Sequence, residues 1–185
     1  ITSRRHLSAD EHTPWQICHG VLALRHDYYV LKDGKKVKAL DWIATGPSFR
    51  GKPWWMATKH GGKGHPFTEP YHFEGHPNQF AALFTLCRLP RDFSVKAGEK
   101  SITIQDMINN AKMEANDKEE MTWTLWFLAF YEDPASEWFN QAGEPWSMER
   151  LIRKQMQSPV TKSACGGMHG LFAIAVTRNS HLQAN

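Results

Sequence analysis

Three segments of the chain share one pattern of apolar and polar positions. They are Val37–Ile43, Ile102–Ile108 and Trp146–Ile152. Each reads apolar, cap or polar, apolar, polar or spacer, charged, large apolar, isoleucine. In the last two, Thr103 or Ser147 stands where an N-cap side chain accepts an early helical N–H. The residue before the cap (Ile102, Trp146) and the residue four after it (Met107, Leu151) match the pair of a hydrophobic staple. The pattern therefore predicts three amphipathic helix starts, at about 38, 103 and 147. Residues 104, 107, 108 and 111 then lie on one buried face.

Between these helices the pattern changes. Residues 119–131 are almost wholly apolar after their first turn, through Trp123, Leu125, Trp126, Phe127 and Leu128, which predicts a helix buried on all sides. Comparable helices are predicted over 13–29, opened by Thr13-Pro14, over 77–87 and over 165–178. Adding 44 to Ala129 gives Ala173, so 103–133 repeats as 147–177. Asp33-Gly34 reads as a tight turn or a tiny hairpin, and the Gly-, Pro- and His-rich residues 46–70 read as a long excursion. The expectation is an all-α chain of repeated helical hairpins forming a partial α/α toroid, with an irregular helical bundle as the alternative. Residues 1–12 read as a peripheral segment and 13–185 as one domain.

Composition constrains the function class. The 185 residues carry 22 Lys+Arg against 19 Asp+Glu, a formal net charge of +3. That is too mild to point to nucleic acid, and no basic stripe occurs. No apolar run approaches the roughly 18 residues of a membrane-spanning helix. Cys18, Cys87 and Cys165 are too few and too widely spaced for a disulfide framework or a CxxC zinc pattern. Opening on Ile1 reads as a processed or trimmed chain, with no signal peptide to locate it.

If the buried helices run parallel, their leading ends gather at one mouth, where unpaired N–H groups and helix dipoles attract anions. That mouth would hold Trp15 and His19; Glu74, His76, Asn78 and Gln79; Glu119, Glu120 and Trp123; and Cys165 and His169. His169, His76, His19 and Glu120 are the catalytic candidates, as acid–base groups. Trp15, Glu74, Asn78, Gln79 and Trp123 are the ligand-binding candidates. Cys165 and His169, at i and i+4 in Cys165-Gly166-Gly167-Met168-His169, would share a helical face. They are candidate zinc ligands or a thiol–base pair; close helix packing through the two glycines explains the same residues. Cys18-His19-Gly20 resembles the zinc pair of lanthionine cyclases over three residues. Zinc is the only cofactor implied; phosphate-loop, Rossmann, HExxH and GxSxG motifs are absent.

Four blocks, Thr13–Ala23, Phe73–Phe80, Glu119–Trp126 and Cys165–Leu171, together resemble an uncharacterised bacterial family abundant in planctomycetes. The resemblance spans about residues 13–178. It implies a longer protein whose second half is similar to the prenyltransferase and squalene-cyclase toroid, so that this chain would end mid-ring. It implies no activity, since none is established for the family, and the absence of the cyclases' Asp-rich acid motif keeps cyclase activity from being carried over. The envelope-rich bacteria in which the family occurs imply a secreted or periplasmic location.

Three functions follow as expectations. The first is a ligand-binding or scaffold protein whose polar mouth takes a glycan or other anionic molecule. The second is a polysaccharide lyase or hydrolase, or a zinc enzyme. The third is a structural subunit whose apolar inner surface is covered by a protein partner or by a missing C-terminal half.

Overall fold

The computed structural model describes residues 6–66, 69–160 and 164–184. It corrects the all-α expectation. The described residues hold 45% helix and 20% strand, with five small antiparallel two-stranded sheets among them. Neither a toroid of helical hairpins nor an irregular helical bundle describes it.

Each of the three patterned segments is the second strand of a β-hairpin running straight into an amphipathic helix. Strands β1 (Tyr29–Lys32) and β2 (Lys35–Lys38) lead into α2 (Ala39–Ala44). Further along, β7 (Ser94–Ala97) and β8 (Lys100–Thr103) lead into α4 (Ile104–Glu114). Near the C-terminal end, β9 (Glu137–Phe139) and β10 (Pro145–Ser147) lead into α6 (Met148–Gln157). The first hairpin turns on Asp33 and Gly34, both at positive φ, as the favoured two-residue turn requires. The excursion at 46–70 holds two more hairpins, β3 (Ser48–Phe49) with β4 (Lys52–Pro53), and β5 (Trp55–Thr58) with β6 (Gly61–Gly64). Residues 67–68 of that stretch lie outside the described residues.

The cap reading, made for the last two segments, agrees with the geometry in both. Thr103 Oγ1 accepts the Asp106 N–H at 3.1 Å, and Ser147 Oγ accepts the Arg150 N–H at 3.0 Å. Lys38, before α2, makes no side-chain cap. The staple residues Ile102, Met107, Trp146 and Leu151 are all buried. The hairpin allowed at Asp33-Gly34 is present as β1 and β2; the other strands leave no local mark, because an apolar residue ahead of a cap looks the same in a coil and in a strand of two to four residues.

The buried helices are α1 (Pro14–Leu24), α3 (Gln79–Phe84), α5 (Thr122–Ala129) and α7 (Met168–Ala184). Helices α1 and α3 end, and α7 begins, where 3-10 turns take over at Arg25–Asp27, Thr85–Cys87 and Ala164–Gly167, and α5 is shorter at both ends than the pattern predicts. Helix α1 packs on α3, α3 on α5, and α5 on α7. Their common direction is visible at both ends. At the leading end the Trp15 N–H donates to His72 O at 3.1 Å, and Asn78 Nδ2 donates to Thr124 Oγ1 at 2.8 Å. At the trailing end His26 Nε2 donates to Cys87 O at 2.7 Å, and the Tyr131 hydroxyl donates to Leu89 O at 3.0 Å.

One core runs through the chain, with Trp54, Trp55, Trp123 and Trp146 its largest buried side chains. Strand β6 lies flush on α4: a Cβ at Gly61 would stand 2.1 Å from Asp106 O. A side chain at Gly64 would displace the carboxyl of Glu74, whose Cδ stands 2.5 Å from that Cβ position. Residues 6–9 run along β1, with Leu31 N–H donating to Leu7 O and Ala9 N–H to Leu31 O. No helix among the described residues is long and apolar enough to cross a membrane.

Candidate functional site

The leading ends of the buried helices carry the polar residues picked from the sequence, and most of them meet. His76, in the turn before α3, places Nδ1 2.6 Å from Glu120 Oε2, just ahead of α5. At that length an Nδ1–H donates to the carboxylate, and a neutral ring held so presents Nε2 as its acceptor. The contact holds the Glu120 carboxyl below the usual carboxylate range, the His76 hydrogen bond being the largest cause.

Trp123, fully buried in the first turn of α5, backs the site. Its ring stacks on His76 at 5.7 Å between centroids and lies 4.4 Å from the ring of His169, the second residue of α7. Burial pushes the His169 imidazole below its ordinary value; the nearby His76 and His19 rings lower it further, and Glu120 opposes them. His169 Nδ1 is buried and has no hydrogen-bond partner.

Helix α1 supplies His19. Its Nδ1–H donates to Trp15 O at 2.7 Å, one turn back, which leaves Nε2 as the acceptor. Burial lowers its affinity for a proton. Trp15 stacks on this ring at 3.9 Å and meets the exposed Tyr71 edge-on at 5.1 Å. Tyr71 stands at φ 62°, left-handed backbone that a bulky residue adopts only under constraint.

Beside His76 opens a cleft of about 460 Å³, bordered by Lys63, Glu74, His76, Asn78, Glu114 and Asn116 among others. Lys63 Nζ is paired to Glu114 Oε1 at 2.7 Å. Glu74 is only 4% exposed. Its Oε1 accepts the Phe80 N–H at 2.8 Å and so caps α3 from outside the helix. Burial raises the Glu74 carboxyl to about 8, against the pull of that N–H and of Lys63. Asn78 and Gln79 are more structural than expected. Asn78 is left-handed and bonded to Thr124, and Gln79 Oε1 accepts the Gly75 N–H at 2.8 Å.

Cys165 stands apart from the expected arrangement. It is exposed at φ 52°, in the turn before α7, so it and His169 do not share a helical face. Cys18 is buried, with its thiol pushed well above the ordinary value by desolvation. Among the described residues, no group of three His, Cys, Asp or Glu is placed to hold a metal ion. Lys63, Glu114 and Asn116 went unselected in the sequence. Lys63 offered one signal, a lone charge inside Gly61-Gly62-Lys63-Gly64, where glycines admit a close neighbour.

No family model, curated protein or solved structure matches the chain. The mixed helix-and-strand fold does not match the terpenoid-cyclase-like toroid that the resemblance implied, and nothing supports the planctomycete source or the carbohydrate role.

Proposed function

We propose that the chain binds a small polar ligand at the leading ends of its buried helices, and that His76, oriented by Glu120, acts on it as a general base. The 2.6 Å contact between His76 Nδ1 and Glu120 Oε2 carries this reading. A carboxylate on one imidazole nitrogen fixes the tautomer and leaves the other nitrogen to take a proton from the ligand or from a bound water. Hydrolysis and elimination are the reaction classes that use such a base. The cleft's borders are carboxylates and amides, and its lysine is already paired. They favour an uncharged ligand bearing hydroxyl or amide groups over a strongly anionic one. The amides of Asn78 and Asn116 would also serve a protein that binds without turnover.

Carbethoxylation by diethylpyrocarbonate tests the base without a known substrate, because the reagent reacts at an unprotonated imidazole nitrogen. At pH 8, His76 should react faster than the other histidines. Glu120→Gln should slow it, because the ring then loses the carboxylate that fixes its tautomer. An unchanged rate in Glu120→Gln would remove the proposal. Chromogenic esters and amides then separate turnover from binding, with His76→Gln as the inactive control.

A further inference from the structure

The cleft that His76 borders has a second titratable group whose burial goes beyond what capping requires. Glu74 lies two residues before His76, across Gly75, and both side chains line the same 460 Å³ space. One Glu74 oxygen is committed to the Phe80 N–H. Its carboxyl is buried against Gly64, where a Cβ would come within 2.6 Å of Oε1.

We infer that Glu74 is the proton donor of this site and works opposite His76 on one ligand. The inference rests on the reading of His76 as the base. In a hydrolysis, His76 Nε2 takes a proton from water as the water oxygen bonds to the electrophilic carbon. The bond from that carbon to the leaving oxygen breaks, and Glu74 gives its proton to that oxygen. The base ends protonated and the acid ionised, and exchange with solvent restores both. A group held in water cannot fill the donor role, because an ordinary carboxyl has lost its proton well below neutral pH. Glu74 keeps it because burial disfavours the charged form. The groups facing Glu74 are Lys63 from β6, which favours ionisation, Glu114 from α4, which opposes it, and Cys18 from α1. The Cys18 thiol is itself held neutral by burial, so it adds no charge against Glu74.

A water-soluble carbodiimide with glycine ethyl ester reads this property directly. The carboxyl proton passes to a carbodiimide nitrogen, the carboxyl oxygen adds to the central carbon, and the amine then displaces the urea to leave an amide. At pH 7 the intact chain should be labelled at Glu74 at least about 10-fold faster than at the exposed Glu119, since a carboxyl in water holds almost no protons there. The labelling should fade as pH rises past about 8. Glu74→Gln should lose the label while keeping the wild-type melting temperature at pH 5, because the amide oxygen still accepts the Phe80 N–H. It should also lose a protonated-carboxyl infrared band present at pH 7. Labelling of Glu74 no faster than of Glu119 overturns the inference, whether the proton is missing or the reagent cannot reach it, since an unreachable acid serves no ligand. Retention of the infrared band in Glu74→Gln overturns it as well. Carbethoxylation of His76, compared between the wild type and Glu120→Gln, keeps the two claims apart. An unchanged rate in Glu120→Gln condemns the base, and a slowed rate there beside an unlabelled Glu74 in the wild type condemns the acid alone.

Discussion

His76 and Glu120 belong to different helix approaches, 44 residues apart in sequence, yet Nδ1 and Oε2 stand 2.6 Å apart. Neither residue needs the other for its local fold. His76 precedes α3, whose start is held by Glu74 and Asn78, and Glu120 precedes α5, whose apolar residues are held by the core. The contact therefore reports how α3 and α5 are set side by side.

The pair adds little to stability. Glu120 is more than a third exposed, so Glu120→Gln should cost no more than about 1 kcal/mol at neutral pH. The sign follows from the lowered carboxyl. The pair's contribution is present above the unfolded carboxylate value and is lost as pH falls through the lower folded one. Chemical denaturation at pH 7 and pH 3 measures it, and Glu120→Gln should show the flatter profile on the acid side.

Glu74 acts in the opposite direction and more strongly. Its folded value of about 8 exceeds the ordinary 4.5, so the native state binds the extra proton between them. Stability drawn from the neutral carboxyl is complete below about 4.5 and drains away as pH rises through about 8. Glu74→Gln should match the wild type at pH 5 and exceed it at pH 8 by on the order of 3 kcal/mol, as a shift of this size requires. Equal stabilities at pH 8 would show that the carboxyl is not held neutral.

The imidazoles of His19 and His169 are both lowered by burial. The unfolded chain then takes up protons before the native one does. Stability should fall as pH drops from the ordinary imidazole value of 6.5 toward the lower folded values. Replacing His169 by Gln should shrink that acid-side loss, as thermal unfolding between pH 5 and pH 7 would show.

The trailing ends of the buried helices meet through Trp126, whose indole Nε1–H donates to Thr85 Oγ1 at 2.9 Å in a buried setting. The Thr85 hydroxyl in turn donates to Ala82 O at 2.7 Å. Thr85→Val keeps the shape and strands the indole N–H, at a cost of roughly 1–3 kcal/mol. Adding Trp126→Phe should cost less than the two single changes summed, which a double-mutant cycle in denaturant would register.

How much of this was legible in the sequence depends on length and period. Trp123–Leu128, apolar on every side, could only be a buried helix, and Thr103 and Ser147 marked their caps correctly. The 44-residue register tied α5 to α7 before any geometry was known. The strands beyond the first hairpin escaped because each has four residues or fewer. Val95 and Ala97, with polar neighbours between them, do alternate in burial, but over too short a span to set a period of two against the helix pattern that follows. His19, His76, Trp123 and His169 could be placed at helix starts by pattern alone. That His76 faces Glu120 and that Glu74 is buried depend on contacts across distant elements, which no local pattern encodes. Cys165 misled for a related reason: the Gly166-Gly167 step after it breaks the helix that its spacing to His169 presupposed.

The most direct test is the protonation of the His76 ring, read from long-range nitrogen–proton correlations of the imidazole at pH 8. A proton on Nδ1 with Nε2 bare in the wild type, and a mixture of both forms in Glu120→Gln, is the outcome expected of a base held by its carboxylate. A proton on Nε2 in the wild type would contradict it, because the nitrogen assigned to the ligand would then be unable to accept anything.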